Sequence, residues 1–191
     1  MNKIRLMTAF LLTFIIGCGG GGGGSKVTIT KADNLFGDGN YQDAQEAYVA
    51  LIAAEGAPAI AGAAWCSIRL HNYAQADSFF TAAGVTLNAD GYAGWSFASW
   101  ALNDPTDALA HATSALSATP AFTALGIDPR ITDDHLIWIQ ASSYLQLGNY
   151  TECFNKIHLL DAGFVMPTGT QYQISTALLT KLTSLGVAVA L

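Results

Sequence analysis

From residue 26 onward the apolar positions recur every three or four residues, in short segments that each stop at a tight turn. Tyr41, Ala44, Tyr48 and Leu51 form one stripe, and Tyr73, Ala76, Phe80 and Ala83 the next. Ala108, Ala112, Ala115 and Leu116 form a third; Tyr150, Cys153, Ile157 and Leu160 a fourth. This is the period of helices with one buried face, and it predicts an all-α chain. The turns before the stripes are themselves alike. Gly39-Asn40-Tyr41-Gln42-Asp43-Ala44 returns as Gly148-Asn149-Tyr150-Thr151-Glu152-Cys153, with His71-Asn72-Tyr73 and Asn103-Asp104-Pro105 as two further versions. In the repeated turn, Gly ends one helix, Asn tolerates the turn geometry, and Tyr opens the next helix by packing back on the first. The openings fall at positions 41, 73, 105 and 150, two spacings of 32 and one of 45. A repeat of this length predicts a solenoid in which each hairpin covers the apolar face its neighbour cannot bury alone.

Stop signals place the helices. Thr28 to Phe36 and Tyr41 to Ala54 make the first hairpin; Pro58, acceptable in a first turn, to Leu70 and Tyr73 to Ala83 make the second. The third runs from Ala89 to Leu102 and restarts with Asp104 as N-cap and Pro105 at the first helical position. Ala44, Ala76, Ala108, Ala112 and Ala115 are small enough to let two helices approach closely. Residues 121 to 132 lengthen the connection to the fourth hairpin, and such insertions fall in loops on one face of a solenoid. Thr132 or Asp133 caps the next helix, whose N-terminus Asp133 and Asp134 favour electrostatically. Thr168-Gly169-Thr170-Gln171 fits a capping box ahead of a last helix reaching Leu185, which would cover the open end.

The segment Gly39, Tyr41, Ala44, Tyr48, with its copies, resembles the tetratricopeptide repeat, whose second helix carries Gly-x-Tyr-x-x-Ala-x-x-x-Phe/Tyr-x-x-Ala. The resemblance covers residues 26 to 161. It departs from the family in the first-helix Trp-x-x-Leu-Gly signature, in repeats two residues short of 34, and in the third copy, which lacks Gly and Tyr. It implies a right-handed superhelix of about four helix hairpins plus a C-terminal capping helix, with a groove lined by the first helix of each repeat. Carried onto this chain, the groove positions are Phe36, Trp65, Ile68, Arg69, Phe97, Trp100, Trp138 and Leu145. Aromatic anchors on a concave surface bury large areas at low entropy cost, so a protein or peptide partner is expected there. The competing reading is that four short repeats curl tightly and these rings, or the last helix, fill the groove. Of the three groove tryptophans, Trp138 is expected to pack under the last helix, and Trp65 and Trp100 to remain accessible.

The first residues read differently. Lys3 and Arg5 precede an apolar run from Leu6 to Ile16, too short to span a bilayer comfortably, so residues 1–17 read as a signal peptide. Ile15-Ile16-Gly17-Cys18 resembles the lipobox of bacterial lipoproteins, which implies lipidation at Cys18 with palmitate-type acyl chains. Each buried methylene adds about 0.8 kcal/mol, so two or three chains anchor durably. Gly19 to Gly24 and Ser25 complete a tether, residues 18–25, whose glycine stretch reaches about 15 Å. Residues 26–191 are then the repeat domain. Gly19, where enteric lipoproteins retained at the inner membrane resemble one another in having Asp, favours the outer membrane, facing the periplasm or displayed at the cell surface.

Composition narrows the partners. The chain has 191 residues and a formal charge of −6; without residues 1–17, six basic side chains face 14 acidic ones, a charge of −8. No basic cluster exists to meet a phosphate backbone, so nucleic acid is not expected. With Cys18 committed to lipid, Cys66 and Cys153 lie more than a repeat apart, and no disulfide between them is expected. Gly94-Trp95-Ser96-Phe97-Ala98 is one residue from a nucleophile elbow, but Ser96 falls mid-helix rather than on a strand-to-helix turn. The six-glycine run lacks the Gly-Lys-Ser/Thr of a phosphate loop. His71, His111, His135 and His158 include no i, i+4 pair, so neither a metal site nor another cofactor is expected. The sequence therefore points to a non-enzymatic, membrane-anchored interaction or scaffold module of the bacterial cell envelope. The alternative is a carrier of a peptide or small apolar ligand in the aromatic groove.

Overall fold

A computed structural model describes residues 27–119 and 128–186. Among these are nine α-helices: α1 (Ile29–Gly37), α2 (Tyr41–Glu55), α3 (Ala57–Arg69), α4 (Tyr73–Ala83), α5 (Ala89–Ala101), α6 (Pro105–Ala118), α7 (Asp133–Gln146), α8 (Tyr150–Leu160) and α9 (Gln171–Gly186). A 3-10 turn, Gly84–Thr86, joins α4 to α5, and no strand occurs among the described residues. The signal segment, Cys18, the glycine tether and residues 121–127 of the insertion lie outside the described residues.

The repeated turns share one backbone device. Gly39, His71, Asn103 and Gly148 all sit at positive φ, between 57° and 79°. The next residue's N–H reaches back five positions, Asn40 to Leu35, Asn72 to Ser67, Asp104 to Ser99 and Asn149 to Tyr144, at 2.8 to 2.9 Å. The positive-φ residue itself donates three positions back, so two carbonyls that the helix end leaves open are satisfied. Glycine occupies two of these positions because it has no Cβ to oppose the left-handed conformation; His71 and Asn103 adopt it against that preference. Asn72, Asp104 and Asn149 then cap the following helices through their side chains, accepting from the N–H of Gln75, Asp107 and Glu152.

Two other helix starts refine the sequence expectations. Thr132, not Asp133, caps α7, in a reciprocal box closed by the His135 ring. The box ahead of α9 forms two residues later than Thr168 and Gln171: Gln173 donates its backbone N–H to Thr170 Oγ1, and Thr170 donates its own to Gln173 Oε1 at 2.8 Å.

Packing follows the alanine stripe. Ala44, Ala76, Ala108, Ala112 and Ala115 are fully buried, and Cys153 takes the equivalent place in α8. The first helices α1, α3, α5 and α7 touch in succession, while successive second helices make few mutual contacts. The first helices thus form the tighter inner layer of a curved stack. One core runs from α1 into α7; a smaller one, Ala141, Cys153, Ile157, Leu178 and Leu182, seals α9 onto α7 and α8. No described helix is long and apolar enough to cross a membrane.

Candidate functional site

The inner layer carries the positions expected to line a groove, but it is packed more closely than an open groove allows. A Cβ on Gly94 would lie 2.6 Å from the Phe80 ring and 2.7 Å from the Trp65 indole. Because α3 and α5 approach so closely, the rings between them wedge into the core. Trp65 is fully buried, donates Nε1–H to the Asp90 carbonyl at 3.1 Å, and lies 6.0 Å from the Phe97 ring. Phe36, Ile68 and Phe97 are buried with it. Trp65 is therefore not the accessible anchor that the groove reading expected.

The other half of the inner layer is covered from two directions. Trp100 is half-buried, donates to Ser142 Oγ at 3.0 Å and meets Trp138 edge-on at 5.1 Å. Trp138 donates to the Leu182 carbonyl at 2.9 Å, so it packs under α9 as expected, and half-buried Leu145 joins the same small core. Arg69, at the end of α3, is covered by the end of the insertion. Its guanidinium pairs with Asp128, whose side chain is only 1% exposed. Arg130 grips the same carboxylate through Nε at 2.8 Å and reaches Tyr41 on α2. Ile131 is buried in the main core. Residues 128–131 thus fold back onto the first two hairpins. Burial pushes the Asp128 carboxyl up; hydrogen bonds from Arg130 and Arg69, with the Arg69 charge, outweigh this and hold it below the ordinary carboxylate value.

An open cleft of about 300 Å³ lies over the N-terminal halves of α1, α3 and α5. Ile29 and Asp33 form one wall, Ala57, Pro58, Ala61 and Trp65 the base, and Thr86, Leu87, Asn88 and Asp90 the opposite wall. Tyr48 reaches in from α2 and donates its hydroxyl to Asp33 Oδ1 at 2.5 Å. Burial, then the bond to Asp33, raises the Tyr48 pKa well above the usual phenol value, so the hydroxyl stays a donor. In the repeat frame, Ile29, Asp33, Pro58, Ala61 and Asp90 all occupy inner-face positions. The frame that selected Trp65 and Phe97 pointed to them too, but their small or acidic side chains do not look like anchors.

The remaining chemical candidates resolve into structural roles. Ser96 lies buried within α5 and donates to the Ala93 carbonyl at 2.7 Å, which is not an elbow. His111 stacks on Trp95 with centroids 3.8 Å apart, and burial lowers its pKa against the opposing charges of Asp107, Asp77 and Asp104. Cys66 and Cys153 are free and buried. No group of three His, Cys, Asp or Glu side chains among the described residues converges to hold a metal.

No family model matches the chain, and neither does any curated protein sequence. Solved structures do. A tetratricopeptide repeat protein from Parabacteroides merdae ATCC 43184 superposes with a TM-score of 0.55 at 18% identity over 84% of this chain; the match spans 60% of that protein's length. YrrB, described as a tetratricopeptide repeat protein with an unusual peptide-binding site, superposes with a TM-score of 0.60 at 17% identity, covering 82% of this chain and 84% of its own. Together with the four shared turns and the two-layered stack, these likenesses establish an all-α, tetratricopeptide-like repeat fold.

Proposed function

We propose that this protein is a lipid-anchored interaction module of the bacterial cell envelope that binds a protein or peptide and carries out no chemistry of its own. The observation that carries the reading is the cleft between α1, α3 and α5, on the inner layer of a tetratricopeptide-like stack. A partner class comes by analogy from YrrB, which has a peptide-binding site. The anchor rests on Lys3, Arg5, the Leu6–Ile16 run and Cys18, with the glycines that follow letting the stack stand away from an outer-membrane leaflet. A carrier of a small apolar ligand would use an enclosed chamber walled by the tryptophans. Trp65 is fully buried in the core and Trp100 and Trp138 are bonded to neighbouring helices, which favours the interaction reading.

Two variants test the two halves. Cys18→Ala should release the protein from membranes with its helical content unchanged, and retention of that variant after a high-salt wash would remove the anchor. Ala61→Trp should fill the cleft floor, so partners captured from envelopes by the wild type should be lost. Identical capture by both would remove the cleft from the reading.

A further inference from the structure

Among the described residues that line the cleft, the charged side chains are Asp33 and Asp90, and none is basic. Asp33 is fixed in place, because Tyr48, itself 1% exposed, donates to one of its carboxylate oxygens, and among the described residues no cation pairs with Asp33. Asp33 and Asp90 come from different hairpins, on opposite walls. Between them lies apolar surface: Ile29, Ala57, Pro58, Ala61, Leu87 and the Trp65 indole.

A volume of about 300 Å³ is far larger than a metal ion or a bare ammonium group needs, and it matches a long side chain. Apolar walls with an acidic rim suit a stem of methylenes ending in a positive charge, which is the makeup of arginine and lysine. A guanidinium there would form charge-assisted hydrogen bonds to the Asp33 carboxylate. The net charge of −6 draws such partners in and repels acidic ones.

We infer that the cleft is a subsite for a basic side chain of a partner peptide, with Asp33 as the residue that selects for charge. This rests on the reading of the protein as a peptide-binding module and narrows the partner to a basic segment.

The test compares three peptides of one length, in which alanine alternates with arginine, norleucine or glutamate, titrated calorimetrically into the full chain. The arginine peptide should bind about tenfold more tightly than the norleucine peptide, and the glutamate peptide not at all. Asp33→Asn should reduce arginine-peptide affinity about tenfold and lower the melting temperature by only about 2 to 4 °C, since the Asn carbonyl still accepts from Tyr48, through a weaker uncharged bond. Its affinity for norleucine should be unchanged. Added salt should weaken only the arginine peptide. Equal binding of arginine and norleucine peptides would overturn the charge assignment while leaving a peptide cleft. An Asp33→Asn variant that binds arginine as well as wild type would overturn the role of Asp33. Binding of none of the three peptides would overturn the subsite, and the envelope capture with Ala61→Trp would still judge the module separately.

Discussion

Gly62, in the middle of α3, is the sharpest place to test whether the inner layer is as tightly packed as described. In an exposed helix interior, Gly→Ala stabilises by about 1 kcal/mol, because alanine loses less backbone entropy. At Gly62 the added methyl would lie 2.6 Å from Tyr48 Cζ and nearer still to Cδ1 and Cε1. Carbon atoms prefer about 3.5 to 4.0 Å, so the ring or the helix must move. Overpacking of this kind costs about 1 to 3 kcal/mol. A ring displaced enough to lose its bond to the Asp33 carboxylate forfeits about 1.5 to 3 kcal/mol more. Set against about 1 kcal/mol of helix gain, the repulsive side wins, and Gly62→Ala should destabilise by about 1.5 to 5 kcal/mol. With a urea dependence of about 1 to 3 kcal/mol per molar, the midpoint should fall by about 1 M or more at unchanged slope. Gly37, the last residue of α1, is the control, since nothing lies within 4 Å of a Cβ placed there. Gly37→Ala should leave the midpoint unchanged or raise it. If Gly62→Ala also leaves it unchanged or raises it, α2 and α3 are not packed through this glycine as described.

Other outcomes follow from the same packing. Trp65→Ala should cost about 3 to 5 kcal/mol in the same denaturation assay, because a fully buried indole and its hydrogen bond to Asp90 are both lost; a change below about 1 kcal/mol would mean the ring is exposed. Stability should fall with acid in two stages. Burial lowers the His111 and His135 pKa values, so the unfolded chain takes up their protons first and stability declines as pH drops below about 6.5. Asp128, whose folded-state value is also depressed, holds its contribution above about pH 4 and loses it as pH falls further through that value, so Asp128→Asn should flatten only the second stage of a melting-temperature profile. The Cys66 and Cys153 thiols, pushed up to about 12 by burial, should not react with a disulfide reagent until the chain unfolds; fast labelling in the native state would contradict their placement.

The four hairpins were legible because their information is local. A positive-φ residue, a cap and an alanine stripe are each set by neighbours within a few positions, and even Pro105, where the repeat loses its Tyr, begins α6 as its type requires. The direction in which the aromatic rings point was not legible. Position in the repeat places Trp65 on the inner face, but whether that face is open depends on how closely α3 and α5 approach. That distance is set by Gly94 against Trp65 and Phe80, three residues from three helices. The Asp128 contacts were hidden for a similar reason. An Asp-Pro-Arg in an insertion reads as a surface turn until Asp128 is found paired with the buried guanidinium of Arg69, far away in the chain. The cleft was missed because Asp33 and Asp90 reveal nothing until the fold sets them on facing walls.

The fold-back of residues 128–131 also changes how this chain should come apart. In a simple stack each hairpin touches only its neighbours, so the array can fray inward from either end and need not unfold as one body. Here Asp128 is bonded to Arg69 across 59 positions, and Arg130 to Tyr41 across 89. The approach to α7 is thereby tied to the first and second hairpins, past the third. Closing loops of that length is entropically costly, so these bonds should form after the local hairpins have folded. Once formed, they join the two ends of the array into a single cooperative unit.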